Sequence, residues 1–378
     1  MPYFDNAATT RPYPEVIEAM VRAAQVYGNP SAAHSLAQDA RKLVDEAREK
    51  VARLINAEPE EIYFTSGGTE ADNLILRGAP VDTIYTSAIE HHAVLHTMEA
   101  ILDTDQYMTW HKLAVDQHGL LIMNELKDLQ PKSLVSVMLA NNEVGTIQNV
   151  RWVCELAHAR DCWVHTDAVQ AAGHIPIDVK ALGVDYLSIS AHKLYGPKGI
   201  GCLFVRKGAP KPAALITGGA QEDGLRAGTE NVPGIVGFGV AAEMSLNYLR
   251  EEMCRLEVLR SRIIDQLKDI GAVVNGCPDS HLPGIVNLRF PGIPGDALVL
   301  QLDQEGYQIS TGSACTTGDL DPSHVLTAMG LSGFEADESI RISLGYWNGP
   351  EQVDLLIEAI KKNVEKIRKN FEKMSDNA

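Results

Sequence analysis

Between residues 15 and 205 the chain switches repeatedly between helical periodicity and short apolar runs, and few architectures accept that rhythm. Apolar residues recur at helical spacing in 15–27, 37–55, 69–76, 93–102 and 152–159. Strand-like runs fall at 62–64, 83–85, 134–139, 162–165, 186–189 and 201–205. Parallel neighbours need a crossover, and a helix is the usual one. The alternation therefore predicts an α/β fold, a mostly parallel mixed sheet flanked by helices on both faces. A helical stretch over 232–270, rich in Glu and Arg at exposed spacings, carries the chain out of that layer. Beyond it lie strand-like runs at 272–274, 285–290, 307–309 and 340–344, with an amphipathic helix from 351 to about 371. This part reads as a smaller α+β domain, on which the first dozen residues could pack. With 378 residues, two domains are expected: a large one at 15–255, and a small one made of 1–14 and 256–378.

The net charge of −17 argues against a broad nucleic-acid footprint, because a phosphate backbone would be repelled. No apolar run reaches the ~20 residues of a membrane span. The opening MPYFDNAATT lacks the basic flank and apolar centre of a secretion signal, so a cytoplasmic chain is expected. Six cysteines lie far apart without a CxxC pair, which speaks against a metal site or a redox dithiol. Five of them (Cys154, Cys162, Cys202, Cys254 and Cys277) read as small buried hydrophobes. Cys315 reads differently.

Ligands of open α/β sheets bind beyond the carboxyl ends of the strands, and polar residues cluster at those positions here. The run 62–64 leads into Thr65-Ser66-Gly67-Gly68-Thr69-Glu70 and then a helix. Small residues and free N–H groups would cradle a phosphate there; a plain turn with Thr69 as N-cap reads equally well. The run 162–165 ends at Asp167, a costly place for a carboxylate unless a cation meets it or it caps a helix. The run 186–189 ends in Ser190-Ala191-His192-Lys193. A desolvated lysine there could form an imine with an aldehyde, although it could also simply snorkel. Together, a phosphate holder, a strand-end carboxylate and a lysine 26 residues later form one cofactor site. Pyridoxal 5'-phosphate needs these three groups: an anion holder, a partner for its pyridinium and an amine. No GxGxxG opens the chain and no Walker sequence occurs, which disfavours dinucleotides and nucleoside triphosphates.

The segments FTSGGTEADN, IEHHAV, NNEVGTIQ, HTDAVQ, SAHKLYGPKG, LRAGTENV, GSACTT and IRISLG occur in this order and cover the chain almost end to end. They resemble the signature segments of cysteine desulfurases, and TGSACTTGDLDPSHVL is closest to the long-loop group I. The resemblance implies pyridoxal-phosphate fold type I, a homodimer, and sulfur transfer from L-cysteine to Cys315 as a persulfide, with L-alanine as the other product. In it Lys193 would bind the cofactor covalently, Asp167 would meet the pyridine nitrogen, and His91 would stack on the ring and move protons. Asn142 and Gln170 would contact the phenolic oxygen. Gly68, Thr69, Ser190 and His192 would hold the phosphate, with Thr229 reaching it from the second subunit. Arg341, together with Asn142, would bind the substrate carboxylate. Cys315 sits among small residues with little packing capacity, so its segment is expected to be exposed. The resemblance further implies an acceptor protein, an iron–sulfur scaffold or a thiolation enzyme. Asp223 departs from the family, which commonly has a basic residue there, and His34 sits in Gly28-Asn29-Pro30-Ser31-Ala32-Ala33-His34, which resembles a family segment near the active site; a role there and a purely local hydrogen bond both stay open. The alternatives are a selenocysteine lyase, another pyridoxal-phosphate lyase or aminotransferase, and a non-catalytic scaffold of the same fold.

Overall fold

Successive residues along the central strands belong to different apolar cores, which is why these strands read as unbroken apolar runs. Leu187 and Ile189 join one core while Tyr186 joins the other; Phe204 divides in the same way from Leu203 and Val205. The computed structural model describes residues 2–311 and 321–375, with side chains through residue 370. The strands of the large sheet are β1 (Ile62–Thr65), β2 (Thr83–Ser87), β3 (Thr109–Leu113), β4 (Leu134–Ser136), β5 (Trp163–Asp167), β6 (Tyr186–Ser190) and β7 (Gly201–Val205). Their spatial order is β1-β7-β6-β5-β4-β2-β3. The run from β6 to β3 is parallel, and β7 alone opposes its neighbours.

Helices cover both faces: α1 (Pro14–Ala24), α2 (Ser35–Leu54), α3 (Gly68–Gly78), α4 (His92–Leu102), α5 (Val150–His158), the short α6 (Val179–Leu182) and α7 (Val232–Lys268). One core takes Val44 and Val51 from α2, Val153 from α5 and Phe238 from α7. The other takes Leu74 from α3, with Val94 and Met98 from α4. Helix α7 is 37 residues long, and its far end, through Leu256, Leu259 and Ile263, packs into a third core.

That third core underlies a second, antiparallel sheet of β8 (Val273–Asn275), β9 (Ile285–Arg289), β10 (Ser310–Thr311) and β11 (Ser339–Ser343), in the order β10-β11-β9-β8. It is covered by α8 (Gly295–Gln304) and α11 (Pro350–Ser375), with α9 (His324–Ala328) and α10 (Gly333–Asp337) beside it. Phe4 is fully buried in the same core, and bridges at Tyr3–Gln308 and Asp5–Ser343 lay the N-terminal residues on this sheet.

Three details differ from the expectations above. Strand β3 was not anticipated: its sequence TWHKL is a mostly exposed edge without the apolar pattern of the buried strands. The strand expected at 307–309 pairs instead at Ser310–Thr311. Cys254 is exposed on α7, while Cys154, Cys162, Cys202 and Cys277 are buried. Its neighbours Val258 and Arg262 line the same open surface, so helical periodicity turns Cys254 outward with them. Among the described residues no helix is long and apolar enough to cross a membrane.

Candidate active site

Strands β5 and β6 are parallel neighbours with Asp167 opposite Ser188, so their ends deliver side chains to one place. Asp167 ends β5. Lys193 lies one 3-10 turn beyond β6, at the close of Ala191–Lys193. Burial raises the Asp167 carboxyl to about 6, even though the Val169 N–H and the Lys193 charge pull it down. The Val169 N–H donates to Asp167 Oδ1 at 2.8 Å. The Lys193 charge is also felt by His91 and His192, so lysine, carboxylate and both rings share one neighbourhood.

A segment not recognised as part of the site closes one side of it. Lys193 Nζ donates to the carbonyls of Ala7 and Ala8, the latter at 2.9 Å. Gln170 Nε2 also donates to Ala7 O, at 2.7 Å, and His192 Nδ1 pairs with Thr9 Oγ1 at 3.1 Å. The half-buried His174 ring pairs with Lys193 O at 2.8 Å and steadies the lysine backbone from behind.

The turn from β1 into α3 brings Gly67 and Gly68 against Ser190. A Cβ on Gly68 would lie 2.7 Å from Val169 Cγ2 and 3.7 Å from Ser190 Cβ, so only glycine fits. The helix starts at Gly68, with Gly67 rather than Thr69 as its N-cap, and its first N–H groups lack intrahelical acceptors. Gly68 and Ser190 are thus brought together, with Thr69 and His192 one and two residues further along their segments. Thr229 lines a cavity together with Thr65, Ser66, Gly199 and Arg226, and it is exposed in the single chain. Nearby, Glu222 and Asp223 both adopt left-handed backbone conformations, with φ of 47° and 52°. The strain is offset where Arg48 grips both oxygens of Glu222 at 2.7 and 2.8 Å.

His91 is the N-cap of α4 and accepts the Ala93 N–H on Nδ1 at 3.0 Å. Burial, then the Lys193 charge, lowers it to about 4, so the ring is neutral at pH 7. His34 is likewise a local cap, accepting the Ala37 N–H at 3.3 Å.

Arg341 enters from the small sheet and is 1% exposed. Its Nη1 donates to Asn142 O at 2.9 Å and its Nη2 to Asp5 Oδ1 at 2.7 Å, while Nε is buried without a partner among the described residues. The Leu139 N–H donates to Asp167 O at 2.8 Å, which sets the Asn142 loop beside Asp167. Two more buried acids stand close by, and both were missed because each reads as an ordinary polar residue at a helix. Burial and the Asp167 charge push Asp72 well up; burial lifts Glu90 to about 8. Ser87 and the Met138 N–H donate to Glu90 Oε1, at 2.5 and 2.8 Å.

Pyridoxal phosphate fits these residues. A glycine-lined helix start would suit its phosphate, a buried carboxylate in need of a cation would suit its ring nitrogen, and a lysine in the same neighbourhood would suit its aldehyde. Cys315 lies outside the described residues.

Residues 2–356 match the family model described as aminotransferase class-V. A cysteine desulfurase IscS of Methanosarcina thermophila is 44% identical over 373 residues, covering 96% of this chain and 92% of that one. A solved NifS-like protein superposes with a TM-score of 0.89 at 40% identity, covering 97% of this chain and 99% of that one. A structure of SspA in complex with cysteine is 35% identical with a TM-score of 0.80, covering 91% and 99%.

Proposed function

We propose that this chain, which belongs to the aminotransferase class-V family and within it to the pyridoxal-phosphate-dependent cysteine desulfurases, draws sulfur from free L-cysteine onto Cys315 and hands it to an acceptor protein. The observation that carries the reading is Lys193 beside Asp167 at neighbouring strand ends, with Asn142 and Arg341 closing the same site. The cysteine bound by SspA, 35% identical, supports the choice of substrate.

The cofactor, when bound, supplies the electron sink that acidifies the substrate Cα and loosens its bond to sulfur. Gly68, Thr69, Ser190 and His192 hold its phosphate, joined by Thr229 of the opposite subunit in a homodimer. Asp167 keeps the pyridine nitrogen charged, and Asn142 and Gln170 bind the phenolic oxygen. Lys193 would hold the cofactor through its aldehyde and, when free of it, would take the substrate Cα proton; either role requires it to leave the carbonyls of Ala7 and Ala8. Neutral His91 accepts and returns a proton near the sulfur. Arg341 receives the α-carboxylate, using the Nε that has no partner among the described residues and an Nη2 that exchanges Asp5 for the substrate. The Cys315 thiolate attacks the substrate sulfur: an S–S bond forms as the C–S bond breaks, the carbon takes up protons, and alanine leaves. We assign residues 15–255 to the cofactor-binding domain, and 1–14 with 256–378 to the domain carrying Cys315. The acceptor is an iron–sulfur scaffold or a thiolation enzyme of the cytoplasm.

Mass spectrometry after incubation with L-cysteine tests this directly. The protein gains one sulfur on Cys315 and alanine accumulates. Cys315→Ala retains the bound cofactor and still binds cysteine, but releases almost no sulfur. Wild-type desulfuration by that variant would remove the sulfur-accepting role.

A further inference from the structure

Asn142 and Arg341 were assigned to the substrate, but the acid between Asn142 and Val144 has no part in the chemistry above. Glu143 is 5% exposed, in a loop that other elements hold from several sides. Asn141 Oδ1 accepts the N–H groups of Glu143 and Val144 at 2.9 and 3.0 Å, and Asn141 Nδ2 donates to Ile89 O at 3.0 Å. Asn287, on β9, donates to the Glu143 carbonyl at 3.2 Å, and Arg341, on β11, donates to the carbonyl just before it. The loop is therefore rigid, and its position is shared with the groups that hold the substrate.

The Glu143 side chain reaches a different part of the sequence. Its Oε2 accepts from Ser323 Oγ at 2.5 Å. Ser323 is 4% exposed and eight residues beyond Cys315; its oxygen in turn accepts the Leu326 N–H at 3.2 Å and caps α9. The next residue, His324, pairs with Glu90 O at 2.9 Å. Val325, Leu326 and Met329 pack with Ile89, Met138 and Val144 in a small core of their own. A carboxyl buried this deeply is a poor purely structural choice, because an apolar or amide pair of similar volume avoids most of the desolvation cost.

We propose that Glu143 is a positioning residue for sulfur transfer: it ties the chain leading away from Cys315 to the loop that supports Arg341. The proposal rests on the function proposed above. It assigns Glu143 to the second half of the reaction, after cysteine is bound, because the hydrogen bond of its side chain goes to Ser323, while Arg341 acts on it through charge alone.

The test uses holoenzyme with Glu143→Ala, Glu143→Gln, Ser323→Ala and the Glu143→Ala/Ser323→Ala double variant. Cysteine capture is followed through the absorbance of the bound cofactor, and persulfide formation through single-turnover mass spectrometry of Cys315. Capture is expected to stay within about twofold of wild type, while Glu143→Ala and Ser323→Ala each slow persulfide formation about tenfold or more. Glu143→Gln, which keeps an acceptor for Ser323, recovers most of the rate. The double variant is no slower than the worse single one, because both remove one bond. Ser323→Ala leaves the acid in place, so it remains informative should Glu143→Ala fail to fold. Unchanged persulfide formation, an equal loss in capture, or losses that multiply in the double variant would each overturn the positioning role. If Cys315→Ala is inactive and these variants transfer sulfur normally, this proposal alone falls; if Cys315→Ala is active, the reading beneath it falls as well.

Discussion

The two sheets serve the site in opposite ways. The parallel sheet places its chemistry beyond its strands: Asp167 ends β5, Ser190 ends β6, and Lys193 lies a turn further on. The antiparallel sheet places Arg341 inside β11, opposite Ser310 on one side and Asn287 on the other. Strand ends open into turns, where a side chain can change partners, as the proposed function asks of Lys193 when it exchanges two carbonyls for a cofactor. A mid-strand residue has its backbone fixed on both flanks. Only the tip of its long side chain is left to exchange partners, and burial of its charge is tolerated because Asp5 and a carbonyl meet it. The lesson is a division of labour: mobile chemistry at strand ends, rigid recognition within a strand.

The strongest way to break that division is Lys193→Ala. The variant is expected to lose the covalently held cofactor, seen as loss of visible absorbance, and to lose alanine production by roughly three orders of magnitude or more. Turnover near the wild-type rate would show that the strand ends do not carry the chemistry. Arg341→Lys sharpens the other half. It keeps the charge but loses the planar fork, a loss of about 1.5–3 kcal/mol, or roughly ten- to hundredfold in KM for cysteine, with a smaller change in kcat. Equal falls in kcat and kcat/KM would instead make Arg341 part of the chemistry.

A third effect concerns stability. Glu90 holds its proton more tightly in the folded protein, up to about 8 against an ordinary 4.5, because it is fully buried. The folded state therefore binds more protons than the unfolded chain between these values. Stability from this group is fully present below pH 4.5 and is lost as pH rises through about 8. Glu90→Gln apoprotein should show a flatter fall in melting temperature across pH 5–8 than wild type. An identical fall would remove Glu90 as its source.

Much of this was legible in the chain because the signals are local. Asp167 and Lys193 stand where apolar runs stop, and Gly67-Gly68 precedes a helical period, so the strand-end half of the site could be read residue by residue. Strand β3 escaped because an exposed edge needs no apolar alternation. Asp72 escaped because an acid on a helix normally marks a solvent face, whereas α3 is buried on both sides of it at Ala71 and Leu74. Asp5 escaped because its partner Arg341 lies 336 residues away.

The order of strands and helices, and the kinds of side chain waiting at the strand ends, were determined by the sequence itself, since periodicity and punctuation act over a few residues. Only tertiary structure decided which distant groups meet: residues 7 and 8 with Lys193, Asp5 with Arg341, Ser323 with Glu143. The physical reason is that burial removes water as a partner. Each enclosed charge or hydroxyl must then find its complement wherever the packed chain brings one, and no local pattern encodes that meeting.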